Sequence, residues 1–254
     1  MKKNYYKSLV IILTFLIGFY GRSTLDLFFK ISQSIQSDIG IIIYGYSWWI
    51  IPPFIVLWIL YGYKNILKEF KLDKPFGKGV LWSTIMVSPM FIGSFLTGEF
   101  NSEISILKLI KSTFLPGFFE ETFFRAFLFG QLFCRLKWGF IPAVVLNAVA
   151  FASGHLYQGD TIGVTLGVFI ITLMGAAWFA WLFIEWKDNI WLPIWLHTLM
   201  NMSWLLFDVS ETALGGIGSN IFRVITIAIS IFITIHFSKK SDGLIIGSKN
   251  LYFN

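Results

Sequence analysis

From residue 6 to residue 237 the chain is a succession of apolar runs, each near the length that crosses a bilayer, joined by short polar connections. A spanning α-helix needs about 20 apolar residues, with a range near 17–25. In hydrocarbon only structures that satisfy every backbone group internally persist. That pattern restricts the fold to a helical bundle. The runs fall at approximately 6–22, 40–62, 79–98, 113–133, 139–156, 161–184, 190–207 and 219–237. The first is short, and the fifth and seventh lie near the lower limit. Of the 254 residues 13% are charged and 56% hydrophobic, whereas soluble domains carry about 25% charged residues. The expectation is an all-α, polytopic membrane protein of about eight transmembrane helices enclosing a polar intramembrane cavity. The whole of 1–254 reads as a single transmembrane domain, with no repeat or soluble insertion.

The net charge is +6, but a basic balance in a membrane protein points to cytoplasmic loops rather than to nucleic acid. With the N-terminus inside, Lys2, Lys3, Lys7, the five lysines of 64–78, Arg135, Lys137, Lys187, Lys239, Lys240 and Lys249 all fall on one side. The other side holds only Arg22, Lys30, Lys108 and Lys111. Both termini are therefore expected in the cytoplasm. Lys2, Lys3 and Lys7 before the run Ser8 to Tyr20 resemble a signal peptide, yet no small-x-small cleavage site follows, and the run reads as a retained first helix. Leu25 to Ile35 and Ile104 to Ile110 mix apolar and polar residues and read as interfacial helices. The Ile-, Phe- and Lys-rich composition suggests a bacterial source and hence the plasma membrane. One cysteine, Cys134, allows no disulfide and no cysteine metal site.

Against this background Glu120, Glu121 and Arg125 are out of place. A charge at bilayer depth costs about 2.5–3.5 kcal/mol on insertion scales. Glu121 and Arg125 are four apart and can pair on one helical face, so a structural ion pair accounts for them as well as function does. Glu120 points about 100° away and has no neighbour on its own helix to neutralise it. Pro116-Gly117, one turn earlier, kinks the helix or frees backbone groups. His155 closes the fifth run. His197 lies midway along the seventh, with Asn201 one turn on and on the same face; an interhelical hydrogen bond is the competing reading. His236 and Arg223, on the last run, are expected at the interface, Arg223 by extending its side chain to the surface.

A carboxylate, two imidazoles and an amide on three helices suit hydrolysis. A buried glutamate can act as general base toward water, and histidine and asparagine can donate to a developing oxyanion. Zinc is the other route to activated water: Glu120, His155 and His197 match a known ligand set, although the His-Glu-x-x-His pattern is absent. No cofactor is expected, with zinc as the alternative.

Three motifs occur in order: Glu-Glu-x-x-x-Arg at Glu120, Glu121 and Arg125, Phe-x-x-x-His at Phe151 and His155, and His-x-x-x-Asn at His197 and Asn201. Together they resemble those of the CAAX prenyl endopeptidase and bacteriocin-processing family, also called the Abi or CPBP intramembrane proteases. The resemblance covers about Phe114 to Leu205, with a motif-bearing core at 113–207. It implies an intramembrane endopeptidase in which Glu120 activates water and His155 assists it. His197 and Asn201 would form the oxyanion hole, and Glu121 and Arg125 would support the site. The implied partners are the lipid bilayer and a peptide or protein substrate, lipidated or not. On the topology above, Glu120 lies about 10 Å below the outer surface, so the site would open outward. A non-proteolytic scaffold or regulator, binding a partner such as a sensor kinase, is the alternative. A transporter using Glu120 and His197 as a proton relay is a third reading, for which inverted repeats are missing.

Overall fold

The computed structural model describes residues 2–240 and 243–252, with the backbone alone at Lys2 and Lys3. Among the described residues every regular element is helical. The long ones are α1 (Lys2–Phe29), α2 (Asp38–Tyr61), α3 (Phe76–Thr97), α4 (106–135), α5 (Phe140–Ser153), α6 (Ile162–Glu185), α7 (Trp191–Leu206) and α8 (Ile217–Lys239). These fall where the apolar runs predict them. Six spans are long and apolar enough to cross a membrane: α1, α2, α3, α5 carried on through the 3-10 turn that follows it (Phe140–Gln158), α6 and α8. The other two differ for distinct reasons: α7 has 16 residues, and α4 carries the three charges and changes its winding repeatedly. The chain is an integral membrane protein.

Two boundaries differ from the sequence reading. The first helix is 28 residues long, not short, because nothing between Gly21 and Phe29 breaks it; Lys30, in the left-handed conformation at φ 50°, stops it. Most of Leu25 to Ile35 is thus a continuation of α1. Ile106–Leu109, likewise, is the opening turn of α4, with the Ser105 hydroxyl accepting from the Lys108 N–H at its start.

The bundle is inverted relative to a soluble one. Leu9, Ile43, Ile51, Ile59, Ile92 and Ile170 are exposed on its outside, where hydrocarbon would meet them. Along α8, Ser219, Arg223, Thr226, Ser230 and Thr234 recur every three or four residues and are buried, while Ile221, Val224 and Phe232 face out. The inward stripe holds α8 to α6: Trp178 and Trp186 donate their indole N–H groups to Ser230 at 3.0 Å and Thr234 at 2.9 Å.

The most polar of the helices is also the most central. Every residue of Glu121–Phe129 is buried. Phe123 stacks on Trp49 of α2 and Phe15 of α1, and Phe124 meets Phe151 of α5 edge-on. The rings surround α4 on the sides that would otherwise face lipid, so its charges are enclosed by protein. Its winding alternates between α and the wider i→i+5 π form at Ile110–Phe114, Glu121–Phe129 and Gln131–Arg135. The first π turn lies just before Pro116, which lacks an N–H and cannot close an i→i−4 bond. π turns within α-helices occur frequently at functional sites.

One end of the bundle collects the basic residues and is cross-linked by them. Glu69, fully buried in the turn Ile66–Glu69, accepts from Arg135 Nε at 2.9 Å, pairs again with Arg135 Nη2, and accepts from Gln131 at 3.0 Å. Lys71 reaches Asp188 at 3.1 Å. The segment 243–252 folds back here: Glu185 accepts from the Ile245 and Ile246 N–H groups, and the Asn250 and Leu251 carbonyls accept from Phe140 and Ile141. Burial opposes ionisation of Glu69, but the bonds from Arg135 and Gln131 outweigh it and hold the carboxyl below its ordinary value of 4.5. A depressed carboxyl stabilises the fold above that value and loses the contribution as pH falls through the folded-state pKa. Glu69→Gln should lower stability by about 1–3 kcal/mol at neutral pH, and should flatten the fall in melting temperature below pH 4.5, as measured by thermal unfolding in detergent.

Candidate active site

The site forms where α4 crosses α7. Gly117 makes the crossing possible: a Cβ there would lie 2.9 Å from the Ile194 carbonyl oxygen and closer still to Thr198 Oγ1. One turn further along α4 comes Glu121, and on α7 His197 lies between those two contacts in sequence. Glu121 Oε1 is accordingly 2.8 Å from His197 Nδ1, and its other oxygen is 3.1 Å from Arg125 Nε. A carboxylate only accepts, so Nδ1 carries a proton and Glu121 sets the ring's orientation. Arg125, 1% exposed, has its guanidinium over Phe151 at 4.3 Å and near Phe179 at 5.5 Å. The Glu121–Arg125 pair expected from i,i+4 spacing is present, but Glu121 is also the direct partner of His197.

Glu120 sits on the other side of the same imidazole. Its Oε2 is buried without a hydrogen-bond partner and lies 3.9 Å from His197 Nε2. That separation is too long for a direct hydrogen bond and of the size a water bridges. His155 does not pair with it; His155 Nδ1 donates instead to the Phe151 carbonyl, 2.9 Å away. The structure therefore brings Glu120, Glu121, Arg125 and His197 together and leaves His155 one step removed. Asn201 lines, with Glu121, Arg125 and His197, a cavity of about 390 Å³ walled by Met90, Trp178 and Met200. Among the described residues no three His, Cys, Asp or Glu side chains converge as a metal site would require. The set Glu120, His155 and His197 is not gathered in this arrangement, and no step is assigned to a metal.

Two residues enter that sequence reasoning passed over. Asn147 is fully buried, with neither side-chain atom hydrogen-bonded; it lies one turn before Phe151 on the same face of α5, an i, i+4 spacing legible in the sequence. Arg223, expected at the surface, is instead 9% exposed and lines the cavity. Its place in the serine and threonine stripe of α8, which faces protein, was the available signal.

Removing one partner of a buried ion pair costs about 3–5 kcal/mol, because the other charge is stranded. Glu121→Gln should destabilise by that amount. Adding Arg125→Met should recover part of the loss, a comparison that thermal unfolding of the single and double variants in detergent resolves.

Residues 102–203 match a family model described as Rce1-like, type II CAAX prenyl endopeptidase Rce1-like. The match begins just ahead of α4 and ends within α7, so it takes in the crossing at Gly117, His155 and the His197–Asn201 turn. No curated protein and no solved structure matches the chain. Glu120 and Glu121, facing His197 across two helices, thus lie within the part of the chain, residues 102–203, that is similar to the Rce1-like type II CAAX prenyl endopeptidases.

Proposed function

We propose that this protein is an intramembrane endopeptidase that hydrolyses a peptide bond with water activated by Glu120. The observation that carries the reading is His197, held through Nδ1 by Glu121 at 2.8 Å and presenting Nε2 to the unpartnered Glu120 carboxylate at 3.9 Å. Glu120 takes a proton from a water held in that gap, and the hydroxide attacks the scissile carbonyl carbon. The oxyanion role asks His197 to carry a proton on Nε2 as well as on the Nδ1 held by Glu121. His197 Nε2–H and the Asn201 amide donate to the tetrahedral oxyanion. Glu120 then returns its proton to the leaving amine as the carbon–nitrogen bond breaks. His155, fixed by its bond to the Phe151 carbonyl, orients the water.

The family's description names prenyl endopeptidases, and the apolar cavity wall suits a lipidated, membrane-delivered peptide. The basic residues at one end of the bundle support a plasma-membrane orientation with both termini cytoplasmic.

The test is cleavage, followed by mass spectrometry, of a quenched fluorescent peptide with an S-farnesyl cysteine fourth from its C-terminus, beside its unprenylated counterpart. Glu120→Gln should lower turnover by about 10²–10⁴-fold, the usual contribution of a general base. His197→Ala and Asn201→Ala should each cost about 10²–10³-fold, as for lost oxyanion donors. Undiminished cleavage by a folded Glu120→Gln variant would sink the assignment.

A further inference from the structure

Arg22, Arg125 and Arg135 each face a carboxylate, namely Asp26, Glu121 and Glu69. Arg223 does not: among the described residues no acidic side chain lies within ion-pair distance of it. It is nonetheless 9% exposed. A guanidinium keeps its proton under all ordinary conditions, so burial without a counter-charge carries a standing penalty. Ionisable groups inside a membrane protein are retained at that penalty chiefly where they meet a ligand.

The surroundings of Arg223 fix it in place and leave most of its donors free. Nη2 donates to the Ala213 carbonyl at 2.9 Å, and the guanidinium lies over the Trp204 indole, 4.3 Å from the ring centroid. Beside it Asn220 donates to the Leu214 carbonyl at 2.9 Å, while its Oδ1 is buried without a partner. Arg223 and Asn220 line the same 390 Å³ cavity as His197 and Asn201, a volume within the range of about 300–1,000 Å³ for ligand pockets. The planar fork of arginine matches a carboxylate in bidentate fashion, and the nearby wall is otherwise apolar.

We infer that Arg223, outside the family-matched segment, binds the free C-terminal carboxylate of the peptide that is cleaved, and so makes the enzyme selective for chain ends. The inference rests on the peptidase reading above. Its geometry is consistent along α7: His197, Asn201 and Trp204 share a face, and His197 to Trp204 is about 10 Å at 1.5 Å per residue. An extended peptide covers that span in about three residues, so the cavity reaches from the reacting carbonyl to the arginine within one short apolar tail.

Two measurements test it. In the first, the farnesylated peptide is offered as the free acid and as the C-terminal amide. Wild type should prefer the acid by about 10- to 100-fold in kcat/KM, the value of hydrogen bonds to a charged group. In Arg223→Gln, which retains an N–H for the Ala213 carbonyl, the ratio should fall to near one; Arg223→Lys should keep part of it. Melting temperatures show that each variant is folded. In the second, acetyl-trileucine as acid or amide is titrated into the protein by calorimetry, with the acid favoured in wild type and not in Arg223→Gln. Equal handling of acid and amide by wild type, or a preference that survives Arg223→Gln, would overturn the inference while leaving the peptidase reading intact. An Arg223-dependent preference in binding without any cleavage would overturn the peptidase reading and leave the carboxylate site standing.

Discussion

The structure depends on one shared carboxylate. Glu121, fully buried, is held by Arg125 one turn along its own helix and holds His197 on the facing one. Buried charges persist only when paired and hydrogen-bonded, so this carboxylate makes the α4–α7 crossing specific as well as close. Gly117 provides the approach and Glu121 the register. Other sites on α7 are positioned from that point. Asn201 and Trp204 lie one and two turns beyond His197, and Arg223 rests on Trp204.

The arrangement is affordable because α4 is the centre of the bundle. Phe123, Phe124 and Phe127 pack against α1, α2 and α5, so the helix least suited to lipid meets little of it. Polar atoms elsewhere follow the same logic, with the stripe of α8 turned inward and aliphatic residues turned out. Two ion pairs of different character involve α4, one at its end and one in its interior. At the basic end Glu69 and Arg135 join a connecting turn to the helix and act structurally. In the interior the corresponding charges leave one carboxylate oxygen, Glu120 Oε2, without a hydrogen bond beside an imidazole. An unpaired polar group in a low-dielectric interior is unfavourable for stability, and its retention there is the physical argument for chemistry.

The helical class, the placement of the long segments and the identity of the motif residues were legible in the chain. Apolar period and length are local properties, and three charges in a phenylalanine-rich run stand out without coordinates. The pairing of Glu121 with Arg125 was legible too, because i,i+4 neighbours meet on any helix. What spacing left open was the assignment of partners across helices. Glu120 was expected to be assisted by His155 and to reach His197 through water; His197 Nε2 lies 3.9 Å from it, while His155 Nδ1 is bonded to the Phe151 carbonyl.

Sequence by itself determined that this chain enters a membrane as helices, and singled out Glu120, Glu121, Arg125, His155, His197 and Asn201 as its motif residues. Those are consequences of composition and of residue identity along one dimension. Tertiary structure decided which imidazole each carboxylate meets, that α4 lies at the centre, and that Arg223 turns toward the cavity instead of the surface. These outcomes depend on how closely helices far apart in sequence can approach. That approach is set by the small residue at the crossing, the width of each helical turn and the side chains of every neighbouring helix together.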